Sequence, residues 1–162
     1  MKIKKEYMTD EIIYKIKEID KKYYKENYCI DWYKERYNEN NFVFCLYDKD
    51  VIVGYICIAG IKEKLYNDFK DGKYDNDYDI DPSLFDYKSE YMYASSINIL
   101  KEYRNKGYGE LLLKEALHNF NNNIIAITVS KEGYNLAKKH MKFIKNINKD
   151  TAVFERKEIK NV

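Results

Sequence analysis

Between residues 91 and 141 the chain alternates strand-like and helix-like runs: YMYASSINIL at 91–100, a leucine-rich stretch at 107–120, IIAITVS at 124–130 and a helical stretch at 131–141. This alternation constrains the fold more than any other feature. Strands joined through a helix lie parallel, with a right-handed crossover. Upstream, FVFCLY at 42–47 and VIVGYICIAGI at 51–61 are separated only by DKD, which predicts an antiparallel hairpin. FIKNI and TAVFERKEI predict a second hairpin at the end of the chain. The expected class is therefore α/β (α+β), with a mixed, mostly antiparallel central sheet and helices on both faces. The 162 residues show no repeat and no internal boundary, so a single domain over 1–162 is expected.

The remaining elements follow from capping and periodicity. Residues 2–6 read as a short strand. Thr9 can cap a helix over 9–25, in which Ile12, Ile16, Ile19 and Tyr23 recur on one face. Asp31 can cap a second helix over 31–39. Residues 62–90 form a long acidic connection that holds the only proline, Pro82, with room for a short helix at 63–70. A connection this long inside a compact domain is either functional or poorly ordered.

The junction of strand 91–100 with its helix reads YRNKGYGELLLKEAL, and two of the chain's six glycines, Gly107 and Gly109, stand there. A helix N-terminus presents unpaired N–H groups and a partial positive charge, which together suit an anion such as phosphate. Glycine lets the main chain come close to such a ligand. Arg104 and Lys106 add positive charge at the rim. A GxxxxGK[ST] phosphate loop is absent, and Leu112 takes the place of the third glycine of a dinucleotide fingerprint.

The segment INILKEYRNKGYGELLLKEAL, 97–117, resembles the cofactor-binding motif of the GNAT acetyltransferase superfamily: a strand, then [RQ]xxGx[GA], then a helix. Lys101 stands where that family often has proline. The resemblance implies acetyl-coenzyme A as cofactor and an N-acetyltransferase acting on an amine. It implies that amides of Arg104, Asn105, Lys106, Gly107, Tyr108 and Gly109 cradle the pyrophosphate. It also implies that Ile97, Asn98 and Ile99 bond the pantetheine arm and acetyl carbonyl through the backbone, with the Ile99 amide as oxyanion donor. Downstream, VSKEGYNLAKKHMKF at 129–143 departs from the family pattern, because Lys142 replaces glycine and Lys138 falls where a tyrosine acid is common. Ser130, Asn135 and Lys138 join the implied cofactor-binding set, and Tyr134 is a substitute acid, as is water.

For the base, the family's Glu or His is missing at the positions of Tyr93 and Ser95. Three readings stay open: Glu90 acting through water, a water wire along Tyr93 and Ser95, or Tyr93 and Ser95 merely lining the pocket. A non-catalytic acyl-CoA-binding module is the alternative to an enzyme.

Charge bears on the partners. Residues 63–90 carry Glu63, Asp68, Asp71, Asp75, Asp77, Asp79, Asp81, Asp86 and Glu90 against four lysines, although the net charge is only +2. Such a stretch is either a solvated loop or a wall that attracts a cationic amine acceptor. Ile80 stands where a calcium loop built on Asp75, Asp77 and Asp79 would need glycine, so no metal is expected. No basic block interleaved with aromatics suggests nucleic acid. Cys29, Cys45 and Cys57 have no metal-ligand spacing. No apolar run approaches the roughly 20 residues that span a bilayer, and the first residues lack a signal-peptide core. A cytoplasmic monomer or homodimer is the expectation.

Overall fold

Seven strands and five helices are present among the described residues, 1–24, 29–38 and 40–160, of the computed structural model. They are β1 (Lys2–Tyr7), α1 (Asp10–Asp20), α2 (Ile30–Arg36), β2 (Phe42–Asp48), β3 (Val51–Ile61), α3 (Glu63–Lys70), β4 (Tyr91–Ile99), α4 (Tyr108–His118), β5 (Asn123–Thr128), α5 (Lys131–His140), β6 (Lys142–Asn146) and β7 (Ala152–Arg156). The sheet is mixed, in the order β1-β2-β3-β4-β5-β7-β6. β4 and β5 run parallel, while β1/β2, β2/β3, β5/β7 and β6/β7 are antiparallel. The mixed, mostly antiparallel sheet expected from the sequence is the one observed. No helix among the described residues is long and apolar enough to cross a membrane.

Several boundaries differ from expectation. Thr9 does cap α1, its hydroxyl accepting from Ile12 N–H at 3.3 Å, but the helix stops at Asp20. Lys22 and Tyr23 then close turns onto the carbonyls of Ile19 and Asp20. Residues 25 and 39, the expected ends of the first two helices, lie outside the described residues. α2 starts at Ile30 with Cys29 in the cap position, two residues ahead of the expected Asp31 cap; Asp31 instead sits in the first turn, where its charge suits the helix dipole.

Chain contacts divide the molecule into two compact units. The first holds Met1–Ile58 and Ser96–Leu117. In it Ile13 and Ile16 of α1, Phe44 and Leu46 of β2, Tyr55 and Ile56 of β3, and Leu112 and Ala116 of α4 are buried. The second holds Ala59–Ser95 and His118–Val162. Its apolar cluster joins Leu65, Tyr66 and Phe69 of α3, Tyr93 of β4, Ile125 of β5 and Val153 of β7.

The acidic connection belongs to the second unit and is closely tied down. Asp68 receives Lys64 and Lys73, each at 2.9 Å. Ile80 is buried in the apolar cluster. Asp81 caps a short 3-10 turn at Pro82–Leu84 by accepting from Ser83 N–H. Asp86 N–H donates to the Gly60 carbonyl at 2.9 Å, a contact so close that a Cβ on Gly60 would lie 2.2 Å from the Asp86 oxygen. Much of the acidic character therefore serves turns and caps, roles for which aspartate is suited.

Candidate active site

In the first unit, β4 runs out at Ile99 and Leu100 N–H donates to the Val53 carbonyl at 2.8 Å. A 3-10 turn over Lys101–Tyr103 follows, then the main chain turns sharply. Asn105 and Gly107 both take positive φ, 62° and 83°. Asparagine is among the few residues that tolerate that region, and glycine does so without strain. A Cβ built on Gly107 meets no atom within 4 Å. The first bond of the α4 ladder runs from Leu111 N–H to the Gly107 carbonyl at 3.2 Å. The N–H groups of Tyr108, Gly109 and Glu110 therefore precede the ladder.

Arg104 does not extend over this turn. Its Nε donates to the Ile99 carbonyl at 2.7 Å and its terminal nitrogen to Asn98 Oδ1 at 3.4 Å, and the guanidinium lies 4.3 Å from the centre of the Tyr23 ring. Its own N–H bonds the Lys101 carbonyl at 3.2 Å. Tyr23 also accepts from Lys101 N–H through its hydroxyl at 2.8 Å, and the Tyr103 hydroxyl donates to Asp48 at 2.6 Å. Lys106 remains exposed.

Beneath the strand end lies a buried carboxylate. Asp20 accepts from the hydroxyls of Tyr33, at 2.8 Å, and Tyr55, and from Asn98 Nδ2 at 3.4 Å. Burial pushes its pKa up, and the three donors offset this only in part. Asn98 Oδ1 in turn accepts from Ile99 N–H at 3.0 Å. The Ile99 amide, expected to face an oxyanion, thus has a side-chain partner in this structure. Ile97 is half-buried, and Asn98 and Ile99 are buried.

The other expected residues belong to the second unit. Tyr93 is buried in the apolar cluster, stacked on Phe69 with ring centroids 4.5 Å apart, and its hydroxyl donates to Asp77 at 3.2 Å. Ser95 Oγ on β4 and Thr128 Oγ1 on β5 are buried with no hydrogen-bond partner among the described residues. Glu90 is exposed, and its carbonyl accepts from Asn122 at 3.1 Å. Tyr134 packs edge-on against Phe154 and Phe143. Ser130 caps α5 through Gly133 N–H at 3.0 Å. Asn135 and Lys138 are exposed on α5.

A model of the acetyltransferase (GNAT) family matches residues 13–141. The chain belongs to the GNAT family. No curated protein sequence matches it. Among solved structures, the fold of this GNAT chain is similar to the loading GNATL domain of CurA from Lyngbya majuscula, with a TM-score of 0.71, 16% identity and 98% of each chain covered. It is also similar to Arabidopsis thaliana Naa50 in complex with the bisubstrate analogue CoA-Ac-MVNAL, with a TM-score of 0.61, 16% identity, and 96% and 99% coverage. Arabidopsis thaliana NAA60 in complex with acetyl-CoA matches with a TM-score of 0.61 at 12% identity, covering 98% and 100%.

Sequence reasoning brought together residues 97–109 of this GNAT domain, which the fold keeps as one continuous strand-turn-helix. It missed Asp20, Tyr33, Tyr55 and Tyr23, which brace that segment. A signal was present: Asp20 follows Ile13 and Ile16 on the buried face of α1 at helical spacing, an unusual place for a carboxylate. Gly54 was also overlooked; a Cβ there would lie 2.9 Å from Ile99 Cγ1.

Proposed function

We propose that the chain is an N-acetyltransferase that transfers the acetyl group of acetyl-CoA to a primary amine of a small molecule or peptide. The observation that carries this reading is the turn between β4 and α4, where Asn105 and Gly107 hold positive φ and the space at Gly107 is open. A side chain at 107 would stand in that space; without one, the amides of Asn105 to Gly109 are accessible to a diphosphate. The donor set fits, because it is main-chain N–H at a helix N-terminus with Lys106 exposed beside it. Acetyl-CoA supplies an acetyl group activated as a thioester.

The protein's own work is to hold that carrier and to manage one proton. The unpaired hydroxyls of Ser95 and Thr128 are donors suited to the amide carbonyls of a pantetheine arm. An alkylamine, with pKa near about 10, must shed a proton before it attacks. Glu90 through water is the carboxylate suited to take it, Ser95 can only relay it along a water wire, and Tyr134 is the candidate acid for the leaving thiolate. The bound acetyl-CoA of NAA60 and the peptide-bearing analogue of Naa50 support this carrier and this type of acceptor. The acidic 71–81 segment favours a cationic acceptor.

One observation favours a second reading. Tyr93 is packed in an apolar cluster with its hydroxyl bonded to Asp77, which leaves the proton-accepting side chains few. A non-catalytic acyl-CoA-binding module would need no more than this. Calorimetric titration with coenzyme A tests carrier binding, and thiol release from acetyl-CoA against a panel of amines separates enzyme from binder. A flat titration of the folded protein would refute both.

A further inference from the structure

Asp20 is a buried carboxylate held by three neutral donors, Tyr33, Tyr55 and Asn98. A buried ion without a cationic partner is costly, and such an arrangement persists where its hydrogen bonds do something specific. Here they orient an amide. The Asn98 Nδ2 group can only donate, so it must face the carboxylate. Its Oδ1 then necessarily faces the other way, where it accepts from Ile99 N–H at 3.0 Å and from Arg104 at 3.4 Å. Arg104, so held, also caps the Ile99 carbonyl at 2.7 Å and covers the Tyr23 ring. Tyr23 lies three residues past Asp20 and bonds Lys101 N–H. The C-terminal end of α1 thus fixes both the last residues of β4 and the entry to the positive-φ turn.

We infer that Asp20 is a positioning residue for the turn at 104–109, acting through Asn98 and Arg104. The turn's amides must point in one direction to bind an anion, and the brace fixes that direction before any ligand arrives. The ligand arm of the test rests on the acetyl-CoA reading; the brace itself does not.

The experiment compares Asp20→Ala, Asn98→Leu, the double variant and Asp20→Asn by residue-resolved amide hydrogen exchange of the free protein and by calorimetric titration with coenzyme A. In Asp20→Ala and Asn98→Leu, exchange at Ile99 and through 104–109 should quicken by about tenfold, and the coenzyme A Kd should rise by a similar factor, as for loss of a hydrogen bond to a charged group. The double variant should be no worse than the poorer single, because the two residues act as one unit. Asp20→Asn keeps an acceptor for Asn98 and should stay within about twofold of wild type. If Asp20→Ala fails to fold, Asn98→Leu decides. Exchange and Kd both within about twofold of wild type in Asn98→Leu would overturn the inference. So would acceleration spread evenly over α1, β2 and β4, or single effects that multiply in the double variant. A wild type that binds no coenzyme A, with exchange quickened only at the turn, would refute the acetyltransferase reading and uphold the brace.

Discussion

Gly54 on β3 lies directly against Ile99 on β4: a Cβ at position 54 would come within 2.9 Å of Ile99 Cγ1 and 3.1 Å of the Asn98 carbonyl oxygen. The Ile99 side chain can shift, but the Asn98 oxygen is main chain, and the residues that follow are tied down: the Ile99 carbonyl accepts from Arg104 and Leu100 N–H donates to the Val53 carbonyl. Gly54→Ala should therefore cost about 1–3 kcal/mol, the range for overpacking a well-filled site. Because the displaced main chain is the end of β4, coenzyme A affinity should fall in the same variant. Urea unfolding and calorimetry report the two effects separately, and an unchanged Kd beside a lowered urea midpoint would show that the strand end does not set the turn.

Gly107 makes a different demand. Nothing surrounds its missing Cβ, so alanine there meets no clash and pays only for its φ of 83°. Gly107→Ala should destabilise the free protein by about 1–2 kcal/mol, the cost of a left-handed conformation for an L-residue. On the proposed placement of the diphosphate, the methyl group would also occupy open space that the ligand needs. Coenzyme A binding should weaken by more than the stability loss alone accounts for, and a Kd matching wild type would refute the placement of the diphosphate.

The strand-turn-helix at 91–118 was legible in the sequence because its determinants are local: a β-rich run, glycines at a junction and leucines at helical spacing. The brace was not, because its members come from four separate segments. Asp20 and Asn98 are 78 residues apart, and Tyr33 and Tyr55 look like any of the chain's 18 tyrosines until the fold assembles them. Arg104 shows the same limit in reverse. Its place in the RxxGxG motif suggested charge at the rim, whereas its side chain turns back onto Ile99 and Tyr23. The helix ends at Asp20, short of Tyr23, although the apolar spacing continues to Tyr23; there the Asp20 side chain is taken up by bonds to Tyr33, Tyr55 and Asn98.

Protonation of Asp20 gives a prediction with a definite sign. Burial, only partly offset by Tyr55, Tyr33 and Asn98, raises its folded pKa above the unfolded value. The folded state thus holds the proton more tightly than the unfolded chain, so the stabilisation is complete below the ordinary carboxylate pKa. It is lost as pH rises through the raised folded value. Asp20→Asn removes this dependence. The variant should be more stable than wild type at neutral pH, and the gap should close as pH falls. Asp68 and Glu155 work in the opposite sense. Paired lysines hold Asp68 below its usual range. Burial would raise Glu155, but Tyr66, Lys70 and Lys157 outweigh it and hold it low. Their contributions are lost as pH falls through those depressed values, so wild type and variant should both weaken in acid. Chemical denaturation of each protein across pH 3 to 8 or so tests the point; a gap independent of pH would mean that Asp20 is not the titrating group.

The acidic segment can be tested without disturbing the core. Asp77 is bonded to Tyr93, and Tyr93 packs in the apolar cluster of the second unit, so changing Asp77 would mix electrostatics with packing. Asp75 and Asp79 are exposed and avoid that difficulty. If the segment attracts a cationic amine, Asp75→Asn/Asp79→Asn should raise the acceptor KM by about two- to tenfold at low salt, since each exposed charge contributes on the order of 1 kcal/mol or less. The effect should shrink as salt is raised, because exposed charges are screened over about 8–10 Å at physiological ionic strength. The KM for acetyl-CoA should not move, and a neutral amine should show no change. An acceptor KM that is the same for the double variant and wild type at every salt concentration would leave the segment with only its structural role in caps and turns.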